Sequence, residues 1–186
     1  MSAATGRIRI IGGQLRNSRL DVPELPGLRP TAERVRETLF NWLAPVIAGA
    51  DCLDLCAGTG ALGIEALSRG AAWTQFVERD ARAAQALRGN LARLKAAGGE
   101  VATADAGAYL QGAARPYGVV FLDPPFALEL WEPLSRRLEA GGWLSPSAWI
   151  YVESPRGKAL ALPPAWQPHR QGQAGEVQYA LYRRVA

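Results

Sequence analysis

The sequence predicts a doubly wound α/β fold: a mostly parallel, Rossmann-like sheet with an antiparallel C-terminal edge and a small N-terminal β-hairpin and helix extension. Three observations predict it. Short apolar runs at 53–55, 73–77, 117–122 and 149–152 alternate with stretches of helical period. A glycine-rich turn joins the first of these strands to a helix, and the C-terminal end alternates apolar and polar residues between prolines. A chain of 186 residues suits one such domain, divided here into a basic arm and hairpin over 1–30 and a body over 31–186.

Residues 1–6 are expected to be a disordered start. Arg7-Ile-Arg-Ile-Ile11 alternates charge and apolarity before Gly12-Gly13, and Arg19-Leu-Asp-Val22 returns as the second arm of a hairpin, ended by Pro23 and Pro26. Thr31 is placed to cap a helix with Val35, Leu39, Trp42 and Leu43 on its apolar face, stopped by Pro45. Leu53 and Leu55 mark a buried strand, Gly58, Gly60 and Gly63 the turn after it, and 61–68 a helix. Trp73–Val77 is the next strand, with Glu78 at its end. Ala84, Leu87, Leu91 and Leu94 give a helix over 81–96 that Gly98-Gly99 closes. Val101–Thr103 is a short strand delivering Asp105, and Tyr117–Leu122 a longer one delivering Asp123. Ala127, Trp131, Leu134 and Leu138 share a helical face ended by Gly141-Gly142, and Trp149–Val152 is a strand ending at Glu153. Val177, Tyr179 and Leu181 belong to a closing antiparallel pair.

In open α/β sheets a ligand lies across the carboxyl ends of the strands. Asp54, Gly58, Glu78, Asp105 and Asp123 all fall there, where carboxylates repel one another unless a ligand offsets them. The glycine spacing satisfies a dinucleotide fingerprint, with Glu78 twenty residues beyond Gly58, so the loop alone does not separate nicotinamide, flavin and S-adenosylmethionine. Asp54 favours the last, because an acid at that strand end repels a pyrophosphate and attracts an ammonium and a sulfonium. Gly58 and Gly60, with Ala57 beside them, are then expected against the amino-acid half, Asp54 at the ammonium and Glu78 at the ribose hydroxyls. Asp105 is expected at the adenine amino group with Ala106 next to it. A surface acid is the plainer role for Glu78, and a helix cap for Asp105.

Asp123-Pro124-Pro125-Phe126 supplies the chemistry. An exocyclic amine on a nucleobase is a poor nucleophile because its lone pair is delocalised into the ring. The Asp123 carboxylate and the Pro124 carbonyl can each accept one of its hydrogens, and they stabilise positive charge as it forms on nitrogen. Pro124 and Pro125 fix the backbone, and Phe126 offers a face for an extruded base. This chemistry requires no metal.

The net charge of +4 is concentrated near the start, in Arg7, Arg9, Arg16, Arg19, Arg29, Arg34 and Arg36. Clustering of this kind suits a phosphate backbone, and Arg7, Arg9, Arg16, Arg19, Arg34 and Arg36 are the candidate RNA contacts. The two cysteines, Cys52 and Cys56, make neither a disulfide framework nor a zinc site, so a reduced, cytoplasmic protein is expected. No apolar run reaches the ~20 residues needed to span a bilayer, so no membrane partner is expected. Two other readings keep the same motifs: a DNA adenine or cytosine amino methyltransferase, which ordinarily needs a target-recognition domain for which there is little room, and a non-catalytic nucleotide-binding module.

The chain resembles the bacterial methyltransferases that modify the exocyclic N2 of one guanine in small-subunit ribosomal RNA. The matching stretches are Arg7–Gln14, Gly27–Thr31, Arg34–Leu43, Gly58–Gly63, Glu65–Arg69, Asp123–Phe126 and Ile150–Glu153. The central loop and Asp-Pro-Pro-Phe are common to many amino methyltransferases, and the arginine-rich N-terminal stretches narrow the family. The resemblance implies a Rossmann-like S-adenosylmethionine-dependent methyltransferase over 31–186 and an N-terminal segment that engages RNA. It also implies a substrate that is an assembled small subunit with adjacent ribosomal proteins, met by a monomer. Cys56 stands where the family often has Phe, and Thr59 where Ser is common. Arg16-Asn-Ser-Arg19 lacks a frequent glycine, and Ala127-Leu128 replaces residues that are often basic.

Overall fold

In the computed structural model, which describes residues 6–185, the chain opens on the expected hairpin, β1 (Gly6–Arg9) paired antiparallel with β2 (Arg19–Val22). The disordered start expected at 1–6 lies outside the described residues, apart from Gly6. Ile8, Ile10, Leu20 and Val22 fall on one side of the hairpin and are buried, while Arg7, Arg19 and Asp21 point to solvent. Helix α1 (Glu33–Leu43) starts later than a Thr31 cap requires. Its N-cap is Ala32, which has no side-chain cap, and the Thr31 hydroxyl is turned toward two carboxylates instead.

A seven-stranded sheet follows, built from β3 (Asp51–Asp54), β4 (Trp73–Glu78), β5 (Gly99–Thr103), β6 (Tyr117–Leu122), β7 (Leu144–Pro155), β8 (Trp166–Ala174) and β9 (Val177–Arg184). The order is β5-β4-β3-β6-β7-β9-β8. The first five neighbours run parallel, and β9 and β8 close the edge antiparallel, as the alternation near the C-terminus predicts. Helices α2 (Ala61–Ser68), α3 (Ala81–Arg93), α4 (Ala106–Tyr109) and α5 (Trp131–Ala140) connect the parallel strands. Period-two alternation gives the sheet two buried faces. Leu53, Val120, Leu122, Ile150 and Val152 pack with Trp131, Leu134 and Leu138 of α5, whereas Cys52, Val119, Phe121 and Tyr151 pack with Leu39, Phe40 and Leu43 of α1.

Three boundaries differ from expectation. Helix α3 ends at Arg93, before 96, and Lys95 turns into the left-handed region (φ 52°), so Gly98 (φ 88°) redirects the chain and Gly99 already belongs to β5. The helix expected from Ala127 is interrupted: a single 3-10 turn covers Phe126–Leu128, Glu129 is left-handed (φ 51°), and α5 starts at Trp131. Strand β7 is longer than 149–152 because its two ends pair with different neighbours, Leu144 with Tyr117 of β6 and Ser154 and Pro155 with β9.

The hairpin is docked on the body. Its apolar side joins Ala61 and Ile64 of α2 and Leu87 and Leu91 of α3 in one cluster. The chain between its strands is bonded to α2: Gln14 N–H donates to the Ser68 carbonyl (2.8 Å), and Gly13 (φ 80°) lies so close that a Cβ there would sit 1.9 Å from the same oxygen. At the centre is Glu65, fully buried. Its carboxylate accepts from Ile11 N–H (2.9 Å), Gly12 N–H (3.0 Å), Arg69 Nε (2.9 Å) and Arg36 Nη1 (3.4 Å). Arg36, buried to 2 % exposure, also donates to the carbonyls of Arg9 (2.9 Å) and Thr31 (3.1 Å). Glu65→Ala leaves a buried guanidinium without its counter-charge and should lower unfolding stability by about 3–5 kcal/mol in urea titrations. It should also open Arg16 and Arg19 to trypsin, and unchanged stability and cleavage would contradict this account of the dock.

Candidate active site

The order of the sheet reverses between β3 and β6, which leaves a crevice at their carboxyl ends. Asp54 pairs in register with Phe121, and Phe121 with Tyr151. Asp123 and Glu153 lie two residues beyond Phe121 and Tyr151 on the same face of the sheet, one register step past the Leu122–Val152 pair. The fold therefore brings Asp54, Asp123 and Glu153 together on the side that faces α1. Glu78 and Asp105 follow β4 and β5 on the other flank. Cys56 sits among them: burial pushes its thiol up, and Asp54, Asp123, Glu78 and Asp105 all push it further.

The glycine turn is built for packing as much as for a ligand. Gly58 (φ 56°) and Gly60 (φ 79°) are both left-handed, a conformation that penalises any side chain. A Cβ on Gly60 would lie 2.2 Å from Leu87 Cδ1 and one on Gly63 2.2 Å from Phe76 Cε1, so these two glycines admit α3 and β4. Around Gly58 only Leu28 comes near, at 3.4 Å. The Gly60 N–H is also spent, on the Ala57 carbonyl (2.8 Å), and the Ala57 N–H on Val77 (2.9 Å). Gly60 is thus fixed by packing on α3, and of the pair Gly58 has the more open surroundings among the described residues.

Each acid has an identifiable internal role. Asp54 is 2 % exposed and accepts the Gly63 N–H (3.1 Å), which ties the end of β3 to the first turn of α2. Burial pushes its carboxyl up to about 8, with Gly63 opposing and the charge of Glu78 adding. Glu78 accepts from Gly58 N–H (3.0 Å) through one oxygen and from Asp80 N–H (2.8 Å) through the other, so it shapes the turn while keeping lone pairs for a hydroxyl donor. Asp105 is exposed and caps α4 through the Ala108 N–H (3.0 Å), and Ala106 is buried beneath it in the core. An assembly of acids with one open glycine suits a cationic ligand; a pyrophosphate would be repelled.

Asp123 is half-buried and Pro124 buried, while Pro125 is exposed. The Phe126 ring is half-buried against Trp131 (centroids 5.7 Å apart), whose Nε1 donates to the Glu153 carbonyl (2.9 Å) and so fastens the Asp-Pro-Pro-Phe turn to β7. Burial first, and then the charge of Glu153, raise the Asp123 carboxyl well above the ordinary carboxylate range. Thr31 Oγ1 reaches both Glu153 Oε2 (3.1 Å) and Asp123 Oδ2 (3.5 Å). Neither Thr31 nor Glu153 is recognised as a site residue from sequence. The signal for Glu153 was available, an acid at the end of the strand that neighbours β6; for Thr31 a helix-cap pattern masked it.

Among the candidate RNA contacts, Arg7, Arg16, Arg19 and Arg34 are exposed, and Arg9 is half-exposed in an ion pair with Glu33. Arg36 is not on this surface. Its place on the inner side of α1 buries it against Glu65, and it serves the dock described above. A cavity of about 430 Å³ beside β7 and β9, lined by Ser154, Gln171, Gln178 and Tyr179, includes neither Asp54 nor Asp123.

Residues 8–183 match the family model described as "Conserved hypothetical protein 95". The relatives named "Ribosomal RNA small subunit methyltransferase D" include those of Escherichia coli, 52 % identical over 99 % of this chain and 93 % of that one, and Haemophilus influenzae, 44 % identical over 97 % and 95 %. The chain belongs to this methyltransferase family. The solved structure of yhhF from Escherichia coli shares 49 % identity and a TM-score of 0.90, covering 97 % of this chain and 99 % of that one. At 21 % identity and a TM-score of 0.65, an RNA methyltransferase from Salinibacter ruber in complex with S-adenosyl-L-homocysteine shares the fold.

The raised carboxyl of Asp54 has a consequence for stability. Its folded pKa of about 8 exceeds the ordinary value near ~4, so the folded chain holds a proton there that the unfolded chain has released. The associated stability is complete below the lower value and is lost as pH rises through about 8. Asp54→Asn keeps an acceptor for Gly63 and removes the titration. Its stability relative to the unsubstituted protein should rise between pH 5 and about 8.5 in paired urea titrations; a constant difference would sink the assignment.

Proposed function

We propose that this chain transfers a methyl group from S-adenosylmethionine to the exocyclic N2 of a guanine in small-subunit ribosomal RNA, on an assembled subunit or late precursor. Family membership supplies the broader part of that statement, a methyltransferase whose relatives are named for small-subunit ribosomal RNA. The finer part is carried by one observation: Asp123 of Asp-Pro-Pro-Phe stands beside a crevice lined with acids, at the reversal of strand order.

S-adenosylmethionine supplies an electrophilic methyl on a sulfonium. Asp54, Ala57, Gly58, Gly60, Glu78, Asp105 and Ala106 would hold it, the acids matching its positive groups, its ribose and its adenine amine. The Asp123 carboxylate and the Pro124 carbonyl then accept the two hydrogens of the guanine amine, which turns the nitrogen lone pair out of conjugation and toward the methyl. Pro124 and Pro125 hold these acceptors at fixed backbone angles, and Phe126, braced by Trp131, gives the base a stacking face. Arg7, Arg9, Arg16, Arg19 and Arg34 lie on the hairpin, its loop and α1 and contact the RNA backbone. The chain works as a single cytoplasmic protomer that also touches ribosomal proteins near the target.

Asp123→Ala should abolish methylation of small subunits that lack the modification while S-adenosylmethionine affinity by calorimetry stays within a few fold. Nucleoside digestion of the product should yield N2-methylguanosine, and methylation at any other atom would refute the assignment. Replacing Arg16, Arg19 and Arg34 with Gln should weaken subunit binding and flatten its dependence on salt by about two to three units of log–log slope, at about 0.7–0.9 per phosphate contact, without changing cofactor affinity.

A further inference from the structure

Two carboxylates share one hydroxyl at the end of β6 and β7. Thr31 Oγ1 lies 3.1 Å from Glu153 Oε2 and 3.5 Å from Asp123 Oδ2, and a hydroxyl has a single proton to donate. The two acids therefore compete for that proton, and their charges face each other across one oxygen. Glu153 is 6 % exposed, and its backbone is pinned by Trp131 Nε1 on one side and by the pairing of β7 with β9 on the other, so it cannot swing away from Asp123.

From these contacts we propose that Glu153 is a positioning residue for methyl transfer: held against Asp123 across the Thr31 hydroxyl, its charge strengthens Asp123 as the acceptor of the proton that the amine must give up. The surroundings reinforce the sharing. The charges acting on Asp123 are acidic, Glu153 from β7 and Asp54 from β3, and the Thr31 hydroxyl on the segment before α1 is the opposing hydrogen-bond donor. The Tyr151 hydroxyl, buried below on β7, is held neutral by burial and by the charges of Glu153 and Asp123. The Cys56 thiol, from the loop after β3, is held neutral as well.

The catalytic consequence rests on the guanine-N2 reaction proposed above. As the nitrogen forms its bond to the methyl carbon, the broken bond leaves its electron pair on sulfur and the nitrogen becomes cationic. One N–H proton then passes to Asp123 and its bonding pair returns to nitrogen. A protonated Asp123 could not accept it. Thr31 spans Glu153 Oε2 and Asp123 Oδ2, which leaves Asp123 Oδ1 free for the amine. The other N–H stays on the methylated amine, and the proton taken up by Asp123 leaves to solvent as product departs.

The test begins without substrate. In protein labelled with carbon-13 at aspartate carboxyls, with Asp123→Asn to assign the signal, the titration midpoint of Asp123 is followed by NMR. Glu153→Gln keeps the shape and removes the like charge, so the midpoint should fall by about one pH unit or more. Thr31→Val removes the donor that favours the ionised form, so the midpoint should rise. A midpoint unmoved by Glu153→Gln overturns the proposal; if that variant does not fold, a midpoint unmoved by Thr31→Val does so. In single-turnover methylation of unmodified small subunits, the rise of rate with pH should shift to lower pH in Glu153→Gln, with S-adenosylmethionine affinity unchanged. A merely structural role would lower the rate without moving the profile. If the midpoints move but the product is not N2-methylguanosine, the substrate assignment fails and the coupling of Glu153 to Asp123 stands.

Discussion

The buried pairing of Arg36 with Glu65 is the interaction on which the arrangement of the molecule depends. Without it the N-terminal stretch would be a basic strand and loop lying on the surface of a sheet. With it, one guanidinium holds the carbonyl of Arg9 in the hairpin and the carbonyl of Thr31 ahead of α1, while Glu65 holds the backbone of Ile11 and Gly12. Taking both charges out of water is costly, and a pair of apolar residues could bind the segment as tightly. What apolar packing would not do is fix orientation. Four donors converging on one carboxylate allow one placement of the segment, and that placement brings the Thr31 hydroxyl to the ends of β6 and β7.

The same economy of position governs the acids. Parallel register alone places Asp123 next to Glu153, and the pairing of β3 with β6 places Asp54 near Asp123. None of these needs a loop to deliver it, so their separations are as rigid as the sheet. The repulsion built into such a rim is relieved internally by backbone N–H groups: Gly63 on Asp54, Gly58 and Asp80 on Glu78, Ala108 on Asp105. Asp123 and Glu153 are the exception. Their side-chain partner is a single hydroxyl, which is why they form the part of the site that gains most from a bound proton or a bound amine.

Much of this was legible in the residues. The strands were marked by apolar runs because parallel strands are buried on both faces, and the strand-end acids followed directly from them. What failed did so where a local pattern competed with a distant partner. Thr31 before a helix reads as a cap, yet the hydroxyl is drawn away by carboxylates 92 and 122 residues along the chain. Arg36 reads as one more arginine in a basic stretch, and only its place on the inner side of α1, opposite Glu65, reveals it as structural. Gly60 belongs to a ligand fingerprint, and the sequence does not show that it also makes room for Leu87 Cδ1. Helical period cannot show that Glu129 turns left-handed and divides a predicted helix into a 3-10 turn and α5.

That division matters for the site. A continuous helix from Ala127 would leave Phe126 as its cap, without a turn of its own. The break instead leaves Phe126 in a short turn of its own, while Trp131, at the start of α5, reaches under it and bonds the backbone of Glu153. Lys158 lies over the other part of the Trp131 indole and pairs with Glu129, the left-handed residue itself. The strain of that conformation is therefore offset by an ion pair and a cation–π contact whose centre is the indole that supports both the stacking face and the second acid. A substitution at Trp131 would disturb Phe126 and Glu153 together, because one side chain supports both the ring that would receive the base and the acid that stands against Asp123.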